Sequence, residues 1–204
     1  VDFVHRDPQR GSFHFELVCI NEADGTWSPV ELPGGLPAQI AELDGDGEAQ
    51  VIRTMQSKLR AKTLKEGIPW KFPEPRPGSF NIIVADISSV LLGMPDRWDL
   101  VLAAHGRRAV PPICQRRVLG LFERANELGT AYQAEFDGNA PLRERIHAIA
   151  FLMDESVWQG PLDPEYRAML VHNPALVSPD EAGTLLEVLQ AGFTPWVKRW
   201  YAGA

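Results

Sequence analysis

Two carboxylates near the start of the chain carry its sharpest chemical signal. Glu16 is set inside the apolar run Phe13-His14-Phe15-Glu16-Leu17-Val18-Cys19-Ile20, and Asp2 lies upstream in Val1-Asp2-Phe3-Val4. Between them, Asp7-Pro8-Gln9-Arg10-Gly11 reads as a tight turn. A hairpin folded there pairs Arg6 with Ser12, Val4 with His14 and Asp2 with Glu16, and directly opposed residues share one sheet face. Two acids on one face repel unless a cation or a shared proton intervenes. Their hard oxygens would suit Mg2+ or Mn2+. The plainer reading is the solvated side of an edge hairpin. Strand alternation puts His14, Glu16 and Val18 on one face and Phe13, Phe15, Leu17 and Cys19 on the other. His14 is then a neighbour of the acids or a structural strand histidine.

The lysines of the next element bear on the same chemistry. Residues 46–66 read as a helix in which Ile52, Met55 and Leu59 recur at helical spacing, with Gly67 placed to end it. Lys62 falls on that stripe and Lys58 on its flank. A lysine on a buried stripe either snorkels to solvent or meets a carboxylate. If the helix packs over the acids, either ammonium could hold a phosphate or polarise a water. A snorkelling lysine at the helix edge is the ordinary alternative.

An Asp on one strand, a Glu on the next and a following helix with polar residues resembles the core of the PD-(D/E)XK superfamily, the restriction-endonuclease-like fold. That resemblance implies a Mg2+-dependent phosphodiester hydrolase in which Asp2 and Glu16 bind the metal. It also implies a lysine two positions after the Glu, which activates the attacking water. Val18 stands at that position, a departure from the pattern. Some members of the family carry the lysine on the following helix, a place that Lys58 or Lys62 would fill. Phe80-Asn81-Ile82-Ile83-Val84-Ala85-Asp86, Ile146-His147-Ala148-Ile149-Ala150-Phe151 and His172-Asn173-Pro174-Ala175 also look like segments of uncharacterised bacterial proteins of this fold. If the site is active, the resemblance implies nucleic acid as partner. If it is degenerate, the expectation is a non-catalytic domain that contacts another protein. The Pro-rich connector and the tryptophan-bearing tail are then its candidate surfaces.

The elements that must position these residues follow from pattern. Pro69-Trp70-Lys71-Phe72-Pro73-Glu74-Pro75-Arg76-Pro77-Gly78 is an extended connector. Ser79 to Ile87 reads as a central strand, because its apolar run is nearly continuous. Residues 96–105 make a short helix, and residues 112–128 a longer one with Val118, Leu121, Phe122, Ala125 and Leu128 on one face. Ile146 to Met153 and Tyr166 to Val171 read as strands. Ser178-Pro179-Asp180-Glu181 opens a helix that runs to about Gln190 and is closed by Gly192. Trp196 and Trp200 suggest a last amphipathic turn or two. The order implies an α/β (or α+β) single domain over 1–204, a mixed sheet flanked by helices. Residues 1–90 are expected to form the nuclease-like core that the resemblance implies, and 91–204 to add helices, two strands and a C-terminal helix.

Composition narrows the setting. The formal charge of −7 argues against a protein that simply coats nucleic acid, while leaving room for a local basic face. Cys19 and Cys114 lack any C-x-x-C spacing, so they are expected as buried free thiols in a reducing, cytoplasmic compartment. No apolar run is long enough to span a bilayer, and no secretory h-region is present. The chain begins on Val in mid-strand, so residues before Val1 are expected. Weaker signals remain. Asp44-Gly45-Asp46-Gly47-Glu48 leads into the first helix, with Asp46 as a cap. Asp86 ends a strand, and the basic pairs Arg107-Arg108 and Arg116-Arg117, which flank a Pro-Pro turn, could touch phosphate.

Overall fold

The computed structural model describes residues 1–20, 30–31, 37–38, 45–64, 67–68, 71–87, 96–154, 166–192 and 197–199. Their centre is a six-stranded mixed sheet whose strands, in order across it, are Phe3–Asp7, Gly11–Cys19, Ser79–Asp86, Ala148–Asp154, Tyr166–His172 and Val197–Arg199. The first pair is a hairpin of β1 (Phe3–Asp7) and β2 (Gly11–Cys19). Its antiparallel register pairs Arg6 with Ser12 and Val4 with His14, as the turn demands. Asp7 makes that turn, because its Oδ1 accepts the N–H groups of Gln9 (2.8 Å) and Arg10 (3.0 Å). Gly11 has φ near +106°, and a Cβ there would overlap the carbonyl oxygen of Gly78. Only glycine lets the hairpin approach the connector this closely.

The strand β5 (Ser79–Asp86) lies parallel to β2, with Glu16 beside Ile83, and β6 (Ala148–Asp154) lies parallel to β5. β7 (Tyr166–His172) returns antiparallel to β6, and β8 (Val197–Arg199) runs parallel to β7. A separate two-stranded ribbon joins β3 (Val30–Glu31) to β4 (Pro37–Ala38). The central strand is buried on both faces, which is why its apolar run is unbroken.

Helices cover both faces, giving an α/β fold of three layers. On one side α1 (Gly45–Thr63) and α2 (Arg97–His105) bury Ile52, Met55, Leu59, Leu100 and Leu102 against Val18, Ile83, Ile149 and Met169. On the other, α5 (Pro179–Gly192) sets Leu185, Val188 and Leu189 against Phe13, Phe15, Ile82 and Val84. Ser178 and Glu181 form the expected cap of α5: the Ser178 N–H donates to Glu181 Oε2 (2.9 Å), and the Glu181 N–H donates to Ser178 Oγ (3.3 Å). Asp96 caps α2 in the same way, with Asp99 as the reciprocal acid. Among the described residues, no helix is long and apolar enough to cross a membrane.

Three expectations are corrected. Residues 112–128 are not a helix. A 3-10 turn at Pro112–Cys114 gives way to irregular chain, followed by α3 (Gln133–Gly138) and α4 (Ala140–Arg145). The reason is tertiary. Leu121 and Phe122 donate their N–H groups to Ala103 O (2.9 Å) and Ala104 O (2.7 Å) at the end of α2. Those donors cannot also close helical turns. Val118, Leu121 and Phe122 are buried as expected, but Ala125 is exposed. The second correction concerns the tail, where Val197–Arg199 is a strand rather than a helical turn, because the edge of β7 offers it backbone partners. Trp196 and Trp200 lie outside the described residues. Third, α1 begins at Gly45, so Asp46 lies within the helix and not ahead of it.

Candidate functional site

Glu16 sits in the middle of β2, and alternation sends its side chain to the face covered by α1. It is 1% exposed. A carboxylate at that depth needs a counter-charge, and Lys71 supplies it: the ammonium donates to Glu16 Oε1. The Lys71 side chain is 21% exposed, so the ion pair spans the boundary between core and solvent. Glu16 Oε2 has no hydrogen-bond partner among the described residues. The site is therefore half satisfied: one oxygen is on an ammonium, the other is buried and open.

Asp2 lies beside this pair but departs from the expected register. The ladder ends at Phe3 opposite Phe15. Beyond it, the Asp2 N–H donates to Phe15 O (2.8 Å), and Asp2 Oδ2 accepts the Leu17 N–H (2.7 Å). Backbone donors of a strand lie in the plane of its sheet. The Asp2 carboxylate is thus at the open edge of β2, on the amide of the residue that follows Glu16, while the Glu16 carboxylate rises from the face. The structure brings both acids to one stretch of β2 without setting them directly opposite each other.

The two lysines expected to serve the acids stand differently. Leu59 and Thr63 continue the buried stripe of α1, so Lys62 is exposed and not on it. Lys58 is half-buried on the flank. The ammonium on Glu16 belongs to Lys71, in the connector after α1. Its sequence signal is slight, a single charge between Trp70 and Phe72. Phe72 is buried in the core under α1, which anchors the connector and carries Lys71 to the hairpin. His14, on the Glu16 face, is half-buried, and burial lowers its pKa, helped by nearby positive charge from the chain's amino group and Arg6.

Other signals resolve into structure. Arg108 pairs with Glu127 (2.6 Å), Arg116 donates to Ile113 O (2.8 Å), and the Arg117 carbonyl accepts from Arg53 (2.6 Å). Asp86 is half-buried at the end of β5, and its carbonyl accepts the Ile20 N–H (2.9 Å). The chain that follows β2, β5 and β6 at their C-terminal ends, residues 21–29, 88–95 and 155–165, lies outside the described residues. Asn173 is fully buried and ties the end of α4 to the turn after β7, donating to Arg143 O (2.7 Å) and Ile146 O (2.9 Å) and accepting from Ala175 N–H (3.0 Å). His105 and His172 meet edge to face at 6.4 Å. Both thiols are free; Cys19 is exposed and Cys114 half-buried, which corrects the expectation that they are buried. Among the described residues, no group of three or more His, Cys, Asp or Glu is arranged to hold a metal.

No family model matches the chain, and neither a curated protein nor a solved structure matches it.

Proposed function

We propose that this chain is a divalent-metal-dependent phosphodiester hydrolase domain of restriction-endonuclease-like fold, built on Asp2, Glu16 and Lys71 and working on nucleic acid in a reducing, cytoplasmic setting. The observation that carries this reading is the open, buried oxygen of Glu16, on a carboxylate whose other oxygen takes the Lys71 ammonium. Two carboxylates fit Mg2+ or Mn2+, which commonly take one or two acids and leave the remaining positions to water and phosphate. Glu16 and Asp2 would hold the ion. When bound, it supplies charge neutralisation at a phosphoryl oxygen and acidifies a water. Lys71 would hold a phosphate oxygen at the mouth of the site, a role distinct from that of the water-activating lysine whose position Val18 occupies. The hairpin, the following helix and the parallel strand β5 occur in the order that the resemblance requires.

A second reading is a non-catalytic domain acting through protein contact. It is favoured by a specific observation: each acid already has a partner within the chain, Glu16 in Lys71 and Asp2 in the Leu17 N–H. Calorimetry with Mg2+ and Mn2+ on the wild type and on Glu16→Gln separates the two. The hydrolase reading expects micromolar-to-millimolar binding that Glu16→Gln abolishes, and metal-dependent cleavage of a phosphodiester that is lost in the same variant. No binding at millimolar metal overturns it and leaves the contact domain.

A further inference from the structure

We propose that Lys71 is the resident counter-ion of the Glu16 site and that a divalent cation enters only by displacing its ammonium. This inference rests on the hydrolase reading above and concerns the control of that site. Glu16 is 1% exposed and has one partnered and one open oxygen. An ammonium satisfies a single lone-pair direction with a single charge. A dication at the same carboxylate would bring twice the charge to a group whose second oxygen has no partner among the described residues. The two cannot share the carboxylate, because like charges a few ångströms apart in a poorly hydrated site repel strongly.

The geometry supplies a way out for the lysine. Its side chain is partly exposed, and its four-carbon stem is flexible, so the ammonium can swing to solvent by rotation about its own bonds. The backbone need not follow. Phe72, the next residue, is 2% exposed in the core under α1, and its carbonyl accepts from Arg145 (3.2 Å). The moving part is therefore one side chain, and its displacement leaves a cation at the mouth of the site where an anionic substrate would arrive. Metal affinity then reports a competition: whatever stabilises the Lys71–Glu16 pair weakens the metal, and the reverse holds to the same factor.

The experiment is calorimetric titration of Mn2+ into the wild type, Lys71→Met, Lys71→Arg and Glu16→Gln. Lys71→Met should bind about tenfold or more tightly than the wild type, since the competitor is gone. Lys71→Arg, which keeps the charge, should stay near the wild type, and Glu16→Gln should not bind. Because Lys71→Met can lose stability, a second measurement uses the wild-type chain. After reductive 13C-dimethylation, which keeps the charge, the Lys71 resonance (assigned by its absence in Lys71→Arg) should move towards the free-lysine position as Mg2+ is added. Equal or weaker Mn2+ binding by folded Lys71→Met overturns the proposal while the hydrolase reading stands. So does a Lys71 resonance that stays put while Mg2+ binds. Absence of binding in the wild type and in both Lys71 variants overturns the two together.

Discussion

The ammonium of Lys71 rests on Glu16 Oε1, although 55 residues separate them in the chain. The pair joins the connector after α1 to the second strand, and it lets a carboxylate stay inside the sheet–helix layer.

Breaking one side of a mostly buried pair strands the other charge. Lys71→Met is expected to cost about 3 kcal/mol, because the ammonium is partly solvated while Glu16 is not. Adding Glu16→Gln should recover part of that loss, with a coupling of about 1–3 kcal/mol in a double-mutant cycle read by urea unfolding. Additive losses would show that the pair contributes little.

Asp2 holds the end of the hairpin through the Leu17 N–H rather than through a ladder bond. Asp2→Ala is expected to cost only about 1 kcal/mol in global stability, since the contact is exposed. Hydrogen exchange at the Leu17 amide should nonetheless quicken markedly, while the Ile83 amide, buried in β5, should keep its protection. An unchanged Leu17 amide would refute the bond.

Acid should destabilise the fold through His105 and His147. Burial holds the pKa of His105 at about 4, with the neighbouring His172 a lesser cause, and burial likewise holds His147 at about 4. The unfolded chain takes up these protons near the ordinary value of 6.5, whereas the folded chain resists them until about 4. The stability these groups contribute is therefore complete above that upper value and declines as pH falls towards the lower one, by up to about 1.4 kcal/mol per pH unit for each histidine. Urea midpoints between pH 7 and pH 5 should fall accordingly, and His105→Gln should flatten the slope.

The hairpin's seat on the connector depends on Gly11. Gly11→Ala adds a Cβ where the Gly78 carbonyl lies and asks alanine to hold φ near +106°. A loss of more than about 2 kcal/mol is expected. Gly67→Ala, also at positive φ but with open space around it, should cost less, through strain alone. Thermal melts of the two variants decide this, and equal losses would remove the close approach as the cause.

Local chemistry in the chain determined the hairpin, its register from Arg6 to Val4, the central strand, and the caps of α2 and α5. Turn residues, alternation and capping side chains act over a few positions, so their effects are written where they occur. Glu16 was legible for the same reason, as one charge breaking an apolar strand. Everything that depends on distant partners was set by how the chain packs. The backbone donors of Leu121 and Phe122 went to α2, so a helical pattern stayed irregular. The edge of β7 drew Val197–Arg199 into the sheet. Most of all, the cation for Glu16 came from Lys71 rather than from Lys58 or Lys62. Periodicity places a residue on its own helix, but which lysine reaches a buried acid is set by how the connector is anchored, and that anchor is Phe72 in the core.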